Sequence, residues 1–419
     1  MAEMTPQEQL MLELINRARM DPDGEAKRMG IKLNEGVPNG EKISAAPKQV
    51  LAGNDDLIDA ARDHSEWMND NDKFTHDEGN KNPGERMKDA GYVFSGTWTW
   101  GENISARFES TNIDDALSTK LITQQHADLF IDKGIEGRGH RINIMSADFQ
   151  EAGIGQDVGK FNSGGTNWNA SMVTQDFATS GDKVFVTGVV YTDNVKKDNF
   201  FSVGEQVVGL AVDGGGPTDT TGSGGGYELQ YASGGTKTVT FGGGVFVELT
   251  LGTRNAKLDL INGTEVWSNA TITDVASGVT ELHLLGIAKG DLHGADSGQA
   301  MYGNAGRNTF EGNGGADSFV FAKGTTGRTE KNADTIADFS RAEGDIIDLS
   351  PWDANAKKGG NQAFDFIDGD KFHGKAGELR FVIDGNDTWV EGDTNGDRKA
   401  DFMIHLEGAI ALDASDFDL

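Results

Sequence analysis

Gly303-Asn-Ala-Gly306-Arg-Asn308-Thr-Phe310-Glu311 is followed directly by Gly312-Asn-Gly-Gly315-Ala-Asp317-Ser-Phe319-Val320, two copies of one nine-residue pattern. Each fits the form G-G-x-G-x-D-x-U-x. Glycines allow the tight turn, the sixth position supplies a hard oxygen ligand, and the apolar eighth residue inserts between two sheets. Such turns stack as a parallel β-roll, with Ca²⁺ held between adjacent loops by carbonyls and carboxylates. Leu292, Met301, Phe310 and Phe319 stand nine apart, so the period extends upstream of the two good copies. The second copy keeps Asp317, the first carries Asn308 instead, and the two earlier ones are eroded. The expected calcium site is therefore Gly303, Gly306, Asn308, Gly312, Gly315 and Asp317, holding one or two ions.

The rest of the chain frames this repeat. Of 419 residues, 67 are acidic and 37 basic, a net charge of −30 that repels nucleic acid and anionic membranes and attracts cations. The 58 glycines lack the strict third-residue period of collagen. Absence of cysteine excludes disulfides, thiolate metal sites and cysteine nucleophiles. No apolar run is long enough for a bilayer crossing. The opening MAEMTPQEQL has neither a basic nor an apolar leader region, so no cleavable N-terminal signal peptide is expected.

Three segments are expected: 1–180, 181–284 and 285–419. The first carries the helical patterning. Thr5-Pro6-Gln7-Glu8 is a capping box, and Leu10, Met11, Leu14, Ile15 and Ala18 follow at helical steps until Asp21-Pro22. Further helices are expected from Asn54, over Pro83 to Ala90, and over Ile113 to Ile131, with short strands at Ala152–Gly155 and Met172–Phe177. The second segment reads as β, with runs such as Val184–Tyr191 and Tyr227–Tyr231 between glycine-rich turns. Asp393, Asn395 and Asp397 alternate as in an oxygen-ligand loop, or as in a solvated hairpin.

Chemistry concentrates at three points of the first segment: Phe74-Thr-His76, Gly101-Glu102-Asn103, and Gly139-His140-Arg-Ile-Asn143. Two imidazoles and a carboxylate from separate segments suit zinc or another divalent ion with an open coordination position. Ser65 and Ser146 near histidines give a nucleophile alternative. His64 falls on the apolar face of its helix, as a packed core histidine would.

Leu14-Ile-Asn16-Arg17, Ala61-Arg-Asp-His64-Ser65, Phe74-Thr-His76, Pro83-Gly-Glu85-Arg86, Gly101-Glu102-Asn103-Ile104, Gly139-His140-Arg-Ile-Asn143 and Thr174-Gln175-Asp176-Phe177 occur in order. Together they resemble the bacterial branch of the CAP superfamily (cysteine-rich secretory, antigen 5 and pathogenesis-related 1 proteins). The resemblance implies an α-β-α sandwich and a groove in which His76, Glu102 and His140 match three of four metal-binding positions. The fourth has no match in Ile113–Ile131, where only His126 or Asp128 could substitute by position. Residues 186–250 resemble a carboxypeptidase-regulatory or collagen-adhesin B-type β-sandwich spacer, in which Asp193 and Glu205 are candidate calcium contacts. Asp334-Thr-Ile-Ala-Asp338-Phe339, Gly344-Asp345-Ile-Ile-Asp348-Leu349 and the terminal Asp416-Phe417-Asp418-Leu419 resemble the C-terminal module of serralysin-like and other RTX proteins. That resemblance implies calcium binding and export by type I secretion machinery.

The expected whole is a multidomain α+β protein: a CAP-type α-β-α sandwich, a central β-sandwich and a C-terminal parallel β-roll-like module. The expected role is extracellular binding or effector action through a His/Glu groove holding a metal and a small or polymeric ligand. The alternatives are a metal-dependent hydrolase with Glu102 as catalytic base, or a calcium-dependent surface or matrix adhesin. The serralysin zinc motif H-E-x-x-H is absent from the sequence.

Overall fold

A computed structural model describes residues 3–419 as a helix-rich N-terminal region followed by a large β-rich region. They divide into two compact units: residues up to Gly235 with Leu251–Asn262, and Thr236–Thr250 with Gly263–Leu419. Segment 181–284, expected as a module of its own, is thus divided between the two. No helix among the described residues is long and apolar enough to cross a membrane.

In the first unit, helix ends are written in the sequence. Helix α1 (Pro6–Met20) starts at the Thr5/Glu8 capping box and stops at Asp21, whose side chain caps α2 (Pro22–Arg28). After a short strand, β1 (Ala52–Gly53), comes α3 (Asp55–Asp70), capped by Asn54. Helix α4 (Pro83–Ala90) has a second capping box, Asn82/Glu85, and ends at Gly91 with φ 121°. Strand β2 (Trp98–Glu109) leads to α5 (Asp115–Ile131), which closes on left-handed Asp132; a short α6 (Gly139–Ile144) follows.

Strands β3 (Glu151–Ser163) and β4 (Thr166–Ser180) complete a sheet of order β1-β3-β4-β2, with β2 at one edge. Alternate residues of β4 meet different partners, as strand geometry requires. Val173 and Phe177 join a core with Met11, Ile15, Ile122 and Phe130 of α1 and α5, while Ala178 packs with Leu57, Ala60 and Met87 of α3 and α4. Helix α3 lies so close to β3 that a Cβ on Gly153 would stand 2.0 Å from the Leu57 carbonyl carbon, so only glycine fits. Strand β5 (Val184–Tyr191) pairs parallel with Ala256–Ile261 and antiparallel with Gly226–Tyr231.

In the second unit, Glu265–Ser268, Glu281–Leu284, Ala300–Tyr302, Ser318–Val320, Ile346–Asp348 and Phe417–Asp418 form one parallel stack. Thr271–Val275, Asp291–His293, Thr309–Glu311, Asp334–Ile336 and Phe402–Glu407 form the other. Leu292 pairs with Phe310 and Met301 with Phe319, each two nonapeptides on, so successive repeats alternate between stacks. Their apolar residues are fully buried, and Phe310 and Phe319 meet edge to face at 6.1 Å. Antiparallel strands Glu378–Asp384 and Asp387–Asp393 extend the second stack.

Buried Glu25 joins α1, α2 and α5. Its carboxylate receives Arg17 at 2.8 and 2.9 Å and Arg28 at 2.9 Å, and faces His126 Nε2 at 3.3 Å. Burial alone would raise its pKa, but hydrogen bonds from His126 and Arg17 outweigh that and hold it at about 2. A folded-state pKa below the ordinary 4.5 contributes stability above pH ~4.5 that is lost as the pH falls toward about 2. Glu25→Gln should therefore cost about 2–4 kcal/mol at neutral pH by chemical denaturation. It should also flatten the acid limb of the stability profile; an unchanged limb would contradict this account.

Candidate metal and ligand site

Trp98, Trp100 and Glu102 alternate along the unbroken register of β2 and therefore share one face. Glu102 is buried there and both its oxygens are engaged. Oε1 lies 2.7 Å from His76 Nδ1, and Oε2 accepts from Arg86 of α4. Arg86 also donates to the His76 carbonyl at 2.6 Å and reaches Glu78 at 3.5 Å. Glu78 in turn lies 2.8 Å from His64 Nδ1, whose other nitrogen faces the Thr75 carbonyl at 3.0 Å. One guanidinium thus bridges two carboxylates, each holding a histidine. The His64 ring is fully buried, and burial pushes its pKa below the ordinary value. His76 is 49% exposed, and its Nε2 has no protein partner among the described residues.

His140 forms a separate pair. Its Nδ1 lies 2.8 Å from Asp132 Oδ1, while Asp132 Oδ2 accepts the His140 backbone N–H at 3.0 Å. Left-handed Asp132, at the end of α5, thereby holds the first turn of α6 and fixes the imidazole together. Two asparagines connect this helix to β2. Asn143 Nδ2 donates to the Glu102 carbonyl at 3.2 Å and to Asn103 Oδ1 at 2.9 Å, and Asn103 Nδ2 donates to the His140 carbonyl at 3.2 Å. His76 and Glu102 are thus in contact, whereas His140 is joined to them only through Asn103 and Asn143. Among the described residues no three His, Asp or Glu side chains form a group that could hold a metal as they stand.

Other candidates are committed elsewhere. His126 is fully buried against Glu25, and Asp128 pairs with Arg107 at 2.8 Å. Ser65 Oγ is buried, donates its one proton to Gly155 O at 2.9 Å and lies 2.9 Å from the Thr174 hydroxyl, so it is engaged on both sides. Glu205 accepts three backbone N–H groups of its own loop. Asp393 likewise accepts from Asn395, Gly396 and Arg398 within a β-hairpin, which favours the hairpin reading of that loop.

One buried acid carried no signal in the sequence beyond its place in an apolar strand. Asp176 is the cross-strand partner of Glu102, is completely buried, and finds no hydrogen-bond partner for either oxygen among the described residues. Burial and the Glu102 charge push its carboxyl well above the ordinary range, toward the neutral form.

In the repeats, Asp317 Oδ1 accepts the Gln299 N–H at 2.8 Å and Asp345 Oδ1 accepts the Asp317 N–H at 3.0 Å. Burial, together with the charges of Asp345, Asp338 and Glu343, pushes Asp317 up to about 7. Burial raises Asp334 to about 8, and its Oδ2 has no partner. Gly312 makes room for Asp317: a Cβ would stand 2.4 Å from Oδ2. Gly315, at φ +104°, lies against the Gly298 nitrogen of the preceding coil. Asn308 differs, because its amide is spent on Gly290 O, Asn304 Oδ1 and the Asn304 N–H. The mutually repelling carboxyls around Asp317, and separately the Asp334 oxygen left without a partner among the described residues, suit a cation; Asn308 does not.

Residues 12–177 match the Cysteine-rich secretory protein family (CAP), and residues 228–418 match the Peptidase M10 serralysin C terminal family. The chain thus carries a CAP domain joined to a serralysin-like C-terminal module. No curated protein matches. Among solved structures, an extracellular protein containing an SCP domain from Bacillus anthracis str. Ames aligns at 24% identity over 31% of this chain, with TM-score 0.22. The aligned part spans 34% of that protein. The AlgE6R3 subunit of the Azotobacter vinelandii mannuronan C5-epimerase aligns at 24% identity over 33% of this chain and 77% of its own, with TM-score 0.20.

The two buried partners of Glu102 should respond differently to substitution. Asp176→Asn mimics a neutral acid and should change unfolding free energy by less than about 1 kcal/mol, whereas Arg86→Met strands two carboxylates and should cost about 3–5 kcal/mol. Equal losses in urea denaturation would contradict a neutral Asp176.

Proposed function

We propose that this is an extracellular, calcium-requiring CAP-domain protein that acts by binding, through a site centred on His76 and Glu102 with His140 beside it. The observation carrying this reading is that both Glu102 oxygens are engaged, by His76 and Arg86, in a buried setting. A general base needs a lone pair within reach of a substrate proton. Glu102 instead orients an imidazole, as acidic partners of metal-binding histidines do. Asp132 does the same for His140. His76 and His140 would each offer Nε2 to a divalent ion such as zinc, which would supply a positive centre for an oxygen-bearing ligand. The same geometry weighs against Glu102 as a catalytic base and so against the hydrolase reading.

The C-terminal module is assigned to Ca²⁺ binding and to type I export. Asp317, with Asp345 and Asp338 near it, would hold an ion together with loop carbonyls. In a calcium-poor cytosol their repulsion would keep the module loose enough for export; outside, binding energy becomes folding energy. The parallel β-roll-like module expected over 285–419 is taken to include the coils from Glu265, with the preceding part of 181–284 as spacer. Surface or matrix adhesion is the second reading, favoured by the net charge of −30, which calcium could bridge to another acidic surface.

Zinc titration of the full chain tests the site. One equivalent should bind to the wild type and affinity should fall about 10–100-fold in His76→Ala; equal affinity in both would overturn the metal reading. For the module, calcium at about a hundred times its Kd should raise the melting temperature by about 5–10 °C over chelator, and Asp317→Asn should lose most of that rise. Identical melting in chelator and millimolar calcium would overturn it.

A further inference from the structure

We propose that Trp98 and Trp100 form a stacking platform for a glycan chain without anionic groups, continuous with the His76–Glu102 pair. This names the ligand class of the site proposed above and rests on that reading only for the site's location. Trp98 is 50% exposed and Trp100 36% exposed, unusual for the largest aromatic side chain on a well-ordered strand. They and Glu102 share one face of β2, so the two indoles follow each other at about 6.8 Å along the strand and lead to the imidazole. Such a row matches a chain of linked rings better than a single small molecule.

Both indoles are braced. The first turn of α4 abuts Trp100 at Gly84, where a Cβ would stand 2.6 Å from the indole nitrogen. Glycine is therefore what lets the ring lie against the helix. Trp98 packs on Phe94 at 5.2 Å, and Phe94 packs edge-on to Tyr92 at 4.9 Å. Large rings fixed by packing while still exposed give contact area at little cost in conformational entropy. The apolar C–H face of a pyranose fits such a ring, and its hydroxyls would meet polar neighbours: the His76 Nε2 and the first turn of α4.

Charge selects among apolar ligands. The segments bearing His76 and Gly84 have a mixed rim: Asp77 and Glu85 are exposed, Asp89 pairs with Lys81, and Lys88 lies over the Phe94 ring at 5.6 Å. The rim is thus not the lysine and arginine cluster that an anionic lipid surface or anionic polysaccharide would need, and the whole chain carries −30, which repels anions. That charge leaves neutral or cationic sugars.

The test uses the full chain and co-sedimentation with insoluble chitin and cellulose. Immobilised alginate serves as the anionic glycan and phosphatidylcholine vesicles as the lipid surface. Wild type should be retained by at least one of the two insoluble glycans and by neither alginate nor vesicles. Trp98→Ala/Trp100→Ala should weaken retention about tenfold or more, and Trp98→Phe/Trp100→Phe should restore it to within about threefold. Gly84→Ala, which displaces Trp100 alone, should fall between. Unchanged melting of the double alanine variant would exclude misfolding as the cause. The platform is overturned if wild type is retained by neither insoluble glycan, if the double alanine variant is retained equally, or if alginate or vesicles hold the wild type as well. Zinc titration of the double alanine variant separates the two readings. Zinc bound with glycan lost supports the platform beside an intact metal site, whereas glycan retained by wild type without zinc binding overturns the metal reading alone.

Discussion

A carboxylate taken out of water must find a positive partner or give up its charge, and that constraint organises both units. In the first unit the partners are built in. Arg17 and Arg28 hold Glu25, Arg86 bridges Glu78 and Glu102, and Lys257 reaches Glu13 and Asp259, each at 2.6 Å. Where the supply of cations ends, the acid responds: Asp176, across from Glu102 and without a hydrogen-bond partner among the described residues, has its carboxyl pushed well above the ordinary range. In the second unit no lysine or arginine pairs with Asp317, Asp334 or Asp345 among the described residues, and backbone N–H groups are their main support. The same physical demand is thus met by side-chain cations in one unit and chiefly by backbone N–H groups in the other.

That difference has a structural consequence along the coil. Hydrogen bonds from the Asp317 N–H to Asp345 and from the Gln299 N–H to Asp317 run between successive turns of one stack, while the Asn308 N–H donating to Asp334 makes the corresponding link in the other. The carboxyls therefore sit where neighbouring coils meet, and their charge state bears on coil-to-coil spacing rather than on the interior. The interior columns of Leu292, Phe310 and Ile336, and of Met301, Phe319 and Ile347, hold the register without them.

Most of the helical boundaries were legible in the sequence because they are set by local chemistry. Thr5/Glu8 and Asn82/Glu85 are capping boxes, and Gly91 ends a helix where glycine is expected. The nine-residue period was legible for the same reason, since each repeat states its own turn and its own inward residue. Features set by distant partners were not. Strand β2 was not among the expected strands, and its edge position leaves Trp98 and Trp100 exposed. Asp176 gave no sign of its burial, and Asp132 none that it holds His140, since both depend on contacts made only after folding. Of the expected groove, His76 and Glu102 come together directly, and His140 belongs to a neighbouring pair.

The arrangement around Glu102 also limits what the site can do. With His76 on one oxygen, Arg86 on the other and buried Asp176 as its cross-strand neighbour, this carboxylate is held in position. A carboxylate held in this way orients the imidazole it bonds. The exposed chemistry of the site then reduces to imidazole Nε2 atoms and flat indole faces. Both can hold a ligand in place, which is the use the binding reading makes of them.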